Sequence, residues 1–299
     1  MGLHSAPHKM TDAKPIERLF VCLGAQKAGT TWLARVLARH PDIFMTPVKE
    51  IHYFDHIQGL TQHLSDRKRR SRRRKYHQRR WTQLHRWTQY REQRDWYLDY
   101  MKDPIDDDWY RALFRERLGR AFAGEATPEY ALIGQEGFTH LKRLAPDVRL
   151  LYIVRNPVER AWSQILHHCR KTGTDASALT LEEFTALTEA ASFKAHGDYA
   201  AALSGLDGVF DAGQIAVEFY EDIHADRQAA LKRICGFIGI DAADAPLTDL
   251  ERRYNPSQRA SIPMNFRDQL RRQFATTAQA MEKRLGRIPQ DWRDEFSKA

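Results

Sequence analysis

Leu19-Phe20-Val21-Cys22-Leu23-Gly24, then Ala25-Gln26-Lys27-Ala28-Gly29, then Thr30-Thr31-Trp32-Leu33, is the stretch whose reading decides the fold class. LFVCLG is a short branched and aromatic run closed by glycine, which predicts a buried strand. After the loop, Leu33, Val36 and Leu37 recur at helical spacing until His40-Pro41 ends the pattern. A strand, a glycine-bounded loop and a helix N-terminus form a phosphate-binding layout. Against the Walker A pattern G-x-x-x-x-G-K-[ST], the stretch departs at one place: Thr30 stands where the lysine belongs, and Lys27 lies inside the loop. From there Lys27 reaches a phosphate edge, and the backbone N–H groups of Ala28 and Gly29 with the Thr30 and Thr31 hydroxyls complete an anion nest.

Outward from this motif, strand and helix patterns alternate. Ile43 to Met45 reads as a second short strand, and Ala121 to Thr127 as another that delivers Thr127-Pro128-Glu129-Tyr130. Trp109 to Arg117 predicts an amphipathic helix. Val148 to Val154 (VRLLYIV) is the strongest later strand; Asn156 caps the following helix and Pro157 takes its first position. Ile215 to Tyr220, a helix from Arg227 to Ile238 and a long helix from about Asn265 to Leu285 complete the series. The alternation predicts an α/β fold, a central parallel sheet with helices on both faces. With 299 residues, 42% of them apolar, the expectation is one domain over 1–299, with residues 56–108 as a basic, Trp-rich insertion.

GAQKAGTTWL resembles the 5′-phosphosulfate loop of the sulfotransferases that use 3′-phosphoadenosine 5′-phosphosulfate (PAPS), a family whose fold is related to the P-loop kinases. The resemblance implies that Lys27 contacts the oxygen bridging phosphate and sulfur, and that no metal is required. Charge builds on that oxygen as the S–O bond breaks, so a fixed ammonium acts more strongly in the transition state than before it. RNPVERAWS, from Arg155 to Ser163, resembles the family's 3′-phosphate site, with Arg155 as a guanidinium fork and Ser163 as a hydroxyl donor. Arg160 is expected at the surface. Tyr220, in Phe219-Tyr220-Glu221-Asp222, and Trp32 are similar to family residues near the adenine; each is equally readable as a core aromatic. The family closes the site with a Gly- and Lys-rich loop, which has no faithful copy here; Arg253, Asn255 and Arg259 in RYNPSQR are the candidate substitutes.

On the acceptor side, Lys49-Glu50-Ile51-His52-Tyr53-Phe54-Asp55 resembles the KE-x-x-[FY]-F segment of carbohydrate sulfotransferases, particularly those acting on glucosaminoglycans. The resemblance implies Glu50 as the base that takes the hydroxyl proton, with His52 assisting or serving as the base itself. In an extended segment Glu50, His52 and Phe54 share one face and Asp55 faces away, so Asp55 is not expected in the site. Gly124-Glu125-Ala126-Thr127-Pro128-Glu129-Tyr130 resembles a family segment bordering the acceptor cleft.

The formal charge is +8, yet Arg67 to Arg80 alone carries ten Lys or Arg and no acid, so the rest of the chain is slightly negative. Such a run reads by default as a solvated arm. Beside a sulfotransferase site it attracts an anionic acceptor, a partly sulfated or uronic glycan or a lipid-linked sugar, and offers peripheral membrane contact through 67–94. Cys22, Cys169 and Cys235 stand far apart, as reduced packing residues would. No signal peptide or spanning stretch is evident, so a cytoplasmic protein is expected. The expected activity is sulfuryl transfer from PAPS to an acceptor hydroxyl, leaving adenosine 3′,5′-bisphosphate (PAP). Two other readings are a P-loop nucleotide or small-molecule kinase, which needs a lysine at Thr30 and a carboxylate for Mg²⁺, and a nucleic-acid-binding protein using the arginines and aromatics of 67–94. No nucleic acid is expected.

Overall fold

In a computed structural model, residues 15–82, 93–115, 119–245 and 261–297 are described. Arg253, Asn255 and Arg259 lie outside them. In the first half of the chain, β1 (Leu19–Gly24), α1 (Thr30–Leu37), β2 (Ile43–Met45), α2 (Tyr53–Ile57), α3 (Asp66–Thr82), α4 (Arg94–Tyr100), α5 (Asp107–Ala112) and β3 (Phe122–Ala126) follow one another. The second half adds α6 (Gly134–Leu144), β4 (Val148–Val154), α7 (Pro157–Thr172), α8 (Leu181–Glu189), α9 (Ala191–Ala195), α10 (Tyr199–Leu206) and β5 (Ile215–Phe219). Next come α11 (Tyr220–Ala225), α12 (Arg227–Ile238), α13 (Met264–Leu285) and α14 (Gln290–Phe296).

The strands form one parallel sheet in the order β2-β3-β1-β4-β5. β1 lies at its centre with all six residues buried, as its unbroken apolar run requires. Because β3 lies to one side of β1 and β4 to the other, the loop leaving β1 opens between them at the carboxyl edge, where ligands of open α/β sheets bind. The core around the sheet is continuous from Ile16 to Trp292, and a second cluster joins Val158, Trp162 and Ile165 of α7 to Phe184, Phe266, Leu270 and Phe274. There the Phe184 and Phe266 rings stack at 3.9 Å. No helix of the described residues is long and apolar enough to cross a membrane.

Three expectations change. The segment after Lys49 is not extended: Glu50 and His52 have φ of 66° and 64°, and α2 starts at Tyr53. Two left-handed residues separated by one residue turn the chain, so face alternation does not apply, and Asp55 is fully buried beside His52. Arg160 is not at the surface but fully buried, because α7 packs against α13 and lies within the second apolar cluster together with Phe184 and Phe193. Its Nη1 donates to Gln164 Oε1 at 2.7 Å and its guanidinium lies 5.7 Å from the Phe193 ring centroid. The helix at Trp109 is shorter than its pattern: Asp106 caps it, accepting from Trp109 N at 2.9 Å, and it ends at Ala112.

The basic run is a helix, not an arm. Arg69 is buried and its guanidinium binds Lys102 O, Asp66 and Asp103. Arg72 donates to Tyr100 Oη at 2.5 Å, and Tyr76 stacks on Tyr97 at 3.9 Å. One stripe of α3 is thus fastened to α4, while Arg67, Arg70, Arg73, Arg74 and Lys75 face solvent. Residues 83–92 of the Trp-rich insertion lie outside the described residues.

Candidate active site

The loop from β1 to α1 winds through positive φ at Gly24, Lys27 and Gly29, the kind of backbone from which anion-binding nests are built. Gly29 caps α1 at φ 83°, and a Cβ there would stand 3.3 Å from the Tyr220 ring, so the position demands glycine twice over. Among the described residues no carboxylate pairs with the Lys27 ammonium. Burial, and then the charges of Arg170, Arg155, Lys171 and Lys49, bring its pKa down to about 8. An ammonium disfavoured by its own surroundings gains most when an anion arrives.

Arg155, just past the end of β4, donates from Nη1 to the Lys27 carbonyl at 3.1 Å, and its guanidinium lies 4.6 Å from the Tyr220 ring centroid. The second motif therefore holds the first. Asn156 Oδ1 accepts from Val158 N and Glu159 N at 3.0 and 3.3 Å, and Pro157 opens α7, as the sequence indicates. Asn156 N donates to Glu221 Oε1 at 2.8 Å, tying the ends of β4 and β5 together. Ser163 is buried on α7. Trp32 is buried next to Thr31, with the Arg227 guanidinium 5.9 Å from its ring centroid, and Tyr220 stacks on His224 at 3.9 Å. Ala28 and Gly29 lead directly into the α1 N-terminus at Thr30 and Thr31.

Across the cleft, three hydrogen bonds from neighbouring structure hold the left-handed turn. Glu50 N donates to Ala126 O at 3.1 Å, Ile51 N to Thr127 Oγ1 at 3.0 Å, and Tyr53 N to Tyr130 Oη at 3.0 Å. Thr127 Oγ1 donates onward to Glu125 Oε2 at 2.8 Å, and Tyr110 Oη donates to Glu125 Oε1 at 2.5 Å. Burial pushes the Glu125 carboxyl up to about 7. Glu50 pairs with Lys49; burial raises its carboxyl, but Lys49, His52 and Arg72 outweigh this and hold it below the usual carboxylate range. His52 is buried, and its Nδ1 bonds Asp55 Oδ2 at 2.9 Å. A carboxylate accepts, so Nδ1 donates, and Nε2 lies 3.9 Å from Glu50 Oε2.

Asp55, Glu129, His63 and the cations at the end of α7 complete the site without a separate signal in the sequence. His63 stacks on His52 at 4.1 Å, a contact across a turn that no spacing rule reveals. Glu129 Oε2 lies 3.9 Å from His52 Nδ1, and burial with the Glu50 charge raises its carboxyl despite His52. His52, His63 and Glu129 bring ligand atoms within 4.8 Å of one another, a set able to hold a divalent ion. Lys68 donates to His63 Nδ1 at 2.9 Å, and the nearby cations favour an anion over a second positive charge. His167, at the end of α7, is brought down to about 4 by partial burial and then by Lys27, Lys171 and Arg170.

A parallel sheet with an anion loop at its central strand, an unpaired lysine in that loop and a carboxylate–histidine turn opposite define the class. Residues 19–244 match the model of the sulfotransferase family, and the chain belongs to that family, the PAPS-dependent enzymes with a P-loop-kinase-like fold. A solved sulfotransferase from Alicyclobacillus acidocaldarius is 25% identical, with a TM-score of 0.65 over 94% of this chain and 99% of that one. Heparan sulfate glucosamine 3-O-sulfotransferase 6 is 38% identical in mouse and 36% in human over 64 residues. That match spans 21% of this chain and 18% of the length of those enzymes.

Proposed function

We propose that the protein transfers the sulfuryl group of PAPS to a hydroxyl of a carbohydrate-type, anionic acceptor. The observation that carries this reading is the Lys27 ammonium, partly buried in a glycine-bounded loop and without a carboxylate partner among the described residues. Such a cation fits the bridging oxygen of a phosphosulfate, and Arg155, braced on the Lys27 carbonyl, fits the 3′-phosphate. Lys27 supplies positive charge where the S–O bond breaks, so PAP leaves as a stabilised oxyanion. Glu50, ionised at neutral pH and next to Lys49, takes the acceptor proton as the new O–S bond acidifies it. His52, its Nδ1 proton held by Asp55, keeps its Nε2 beside Glu50 and assists. Removing the Lys27 charge is expected to cost about 10²–10³ in turnover, the scale of losing one transition-state charge donor.

The acceptor class rests on the KE-x-x-[FY]-F segment and on the relative whose name specifies heparan sulfate glucosamine. It rests also on Arg72 of α3, whose charge acts on Glu50, on Lys68 beside His63, and on Arg170 and Lys171 of α7, whose charges act on Lys27. Tyr76 is buried against Tyr97, unlike an aromatic offered to a base, which argues against the nucleic-acid reading.

Thermal shift in EDTA tests the donor half. PAP at a hundred times its Kd stabilises the native state by about 2.7 kcal/mol, and Lys27→Ala is expected to lose most of the shift. Stabilisation by ATP with Mg²⁺ and none by PAP would instead support the kinase reading.

A further inference from the structure

Glu129 opens the short 3₁₀ turn Pro128–Leu132 at the exit of β3, between the two halves of the site. Gln26, the neighbour of Lys27, donates from Nε2 to Glu129 Oε1 at 3.5 Å. On the other side Glu129 Oε2 lies 3.9 Å from His52 Nδ1. That nitrogen's proton is already committed to Asp55 Oδ2 at 2.9 Å, so His52 does not serve Glu129. The Glu129 side chain is 12% exposed, and Oε2 itself is enclosed and receives no hydrogen bond from the protein. A buried carboxylate oxygen without a donor is costly, and such a group calls for a partner that the protein itself does not supply.

Two carboxylates thus approach the two nitrogens of one imidazole, Glu50 at Nε2 and Glu129 at Nδ1. Only one of them can take the proton of the attacking hydroxyl. Glu50 is held ionised by Lys49 for that task, whereas Glu129 has no cation paired with it among the described residues. The acceptor therefore meets a base and, beside it, a second carboxylate suited to hold a different group.

We propose that Glu129 is the specificity-determining carboxylate of the acceptor site: it accepts a hydrogen bond from a second donor of the acceptor, a hydroxyl or protonated amine neighbouring the hydroxyl that is sulfated. This rests on the sulfotransferase reading above and narrows it to polyfunctional acceptors, sugars or amino sugars rather than monohydric phenols or alcohols. A site built around a substrate donor rejects the analogue lacking it far more strongly than a hydrophobic pocket rejects a missing methylene, since the protein's own polar group is then left unpaired.

The test removes the donor from each side in turn, in EDTA. A methyl glycoside of a uronate–glucosamine disaccharide and its monodeoxy and deamino analogues, each lacking one hydroxyl or the amine of the glucosamine, are compared as acceptors for wild type, Glu129→Ala and Glu129→Gln. Wild type is expected to lose at least about 10²-fold in kcat/KM for one analogue that still carries the sulfated hydroxyl, a conservative share of the discrimination such sites reach. Glu129→Ala is expected to treat that analogue and the parent sugar alike, with Glu129→Gln intermediate. PAP should stabilise all three proteins equally, which establishes that each folds and binds the nucleotide. Equal losses by Glu129→Ala on every acceptor, or no discrimination by wild type, overturn the assignment. Transfer to none of the sugars overturns it too, and the PAP shift then shows whether the sulfotransferase reading falls with it.

Discussion

Lys27, with its pKa brought to about 8 by burial and by its cationic neighbours, is half deprotonated in the free protein at that pH. If the ammonium is the donor-binding group, kcat/KM for PAPS falls above pH about 8, approaching tenfold per unit, because that parameter reports the free enzyme. A bound anion favours the charged lysine, so the limb in kcat lies at higher pH. Lys27→Arg should abolish the limb while lowering the plateau; a limb that persists in the arginine variant would assign it elsewhere. Glu125 gives the opposite kind of dependence. Its folded pKa, about 7, lies above the ordinary 4.5, so its contribution to stability is complete below about 4.5 and is lost as pH rises through 7. Each unit of that interval is worth about 1.4 kcal/mol. The difference in Tm between Glu125→Gln and wild type should therefore move in favour of the variant from pH 4.5 to pH 8, whatever constant offset the substitution brings.

At the scale of elements, the turn carrying Glu50 and His52 depends on β3 and the segment after it. Thr127→Val removes the acceptor for Ile51 N and a donor to Glu125, and is expected to cost about 1–3 kcal/mol from the unpaired buried groups. It should lower kcat while leaving PAP affinity unchanged, and Thr127→Ser should restore both stability and rate; a parallel loss of PAP binding would show that the effect is not confined to the turn. For α3, Lys68→Ala should raise the KM of a sulfated glycan acceptor, more at low salt than at high, while the KM for PAPS stays constant. Much of this level was legible in the sequence, because β1, β4 and the α7 cap are specified by local runs and capping chemistry. Glu50, His52, Lys27 and Arg155 carry motif signals for the same reason. Asp55 was misplaced because a period-two reading holds only where φ stays negative, and Glu50 and His52 break that condition. Arg160 was misplaced because helical spacing gives its direction around α7 but not the second layer that covers it.

Over the whole molecule, the donor half of the candidate site lies at three strand exits. Gly24 ends β1, Arg155 follows β4 and reaches back to the Lys27 carbonyl, and the end of β5 is pinned through Glu221 to Asn156. Arg155→Lys keeps a charge but loses the planar fork. It should weaken PAP binding at least about tenfold and lower Tm, as calorimetry with and without PAP would register. Unchanged PAP affinity would remove Arg155 from the nucleotide site.

The backbone of the turn bearing Glu50 and His52 hangs from the sheet edge through Ala126, Thr127 and Tyr130, while its side chains are braced from the segment that follows, His52 by Asp55 and the Tyr53 hydroxyl by Asp107. The solvent-facing side of α3, with Arg67, Arg70, Arg73, Arg74 and Lys75, is thereby open to be recharged or exchanged without displacing the reactive groups. Divergence in what is sulfated can proceed there while the chemistry stays fixed, and grafting that face from one homologue to another is the natural engineering route to a changed acceptor range.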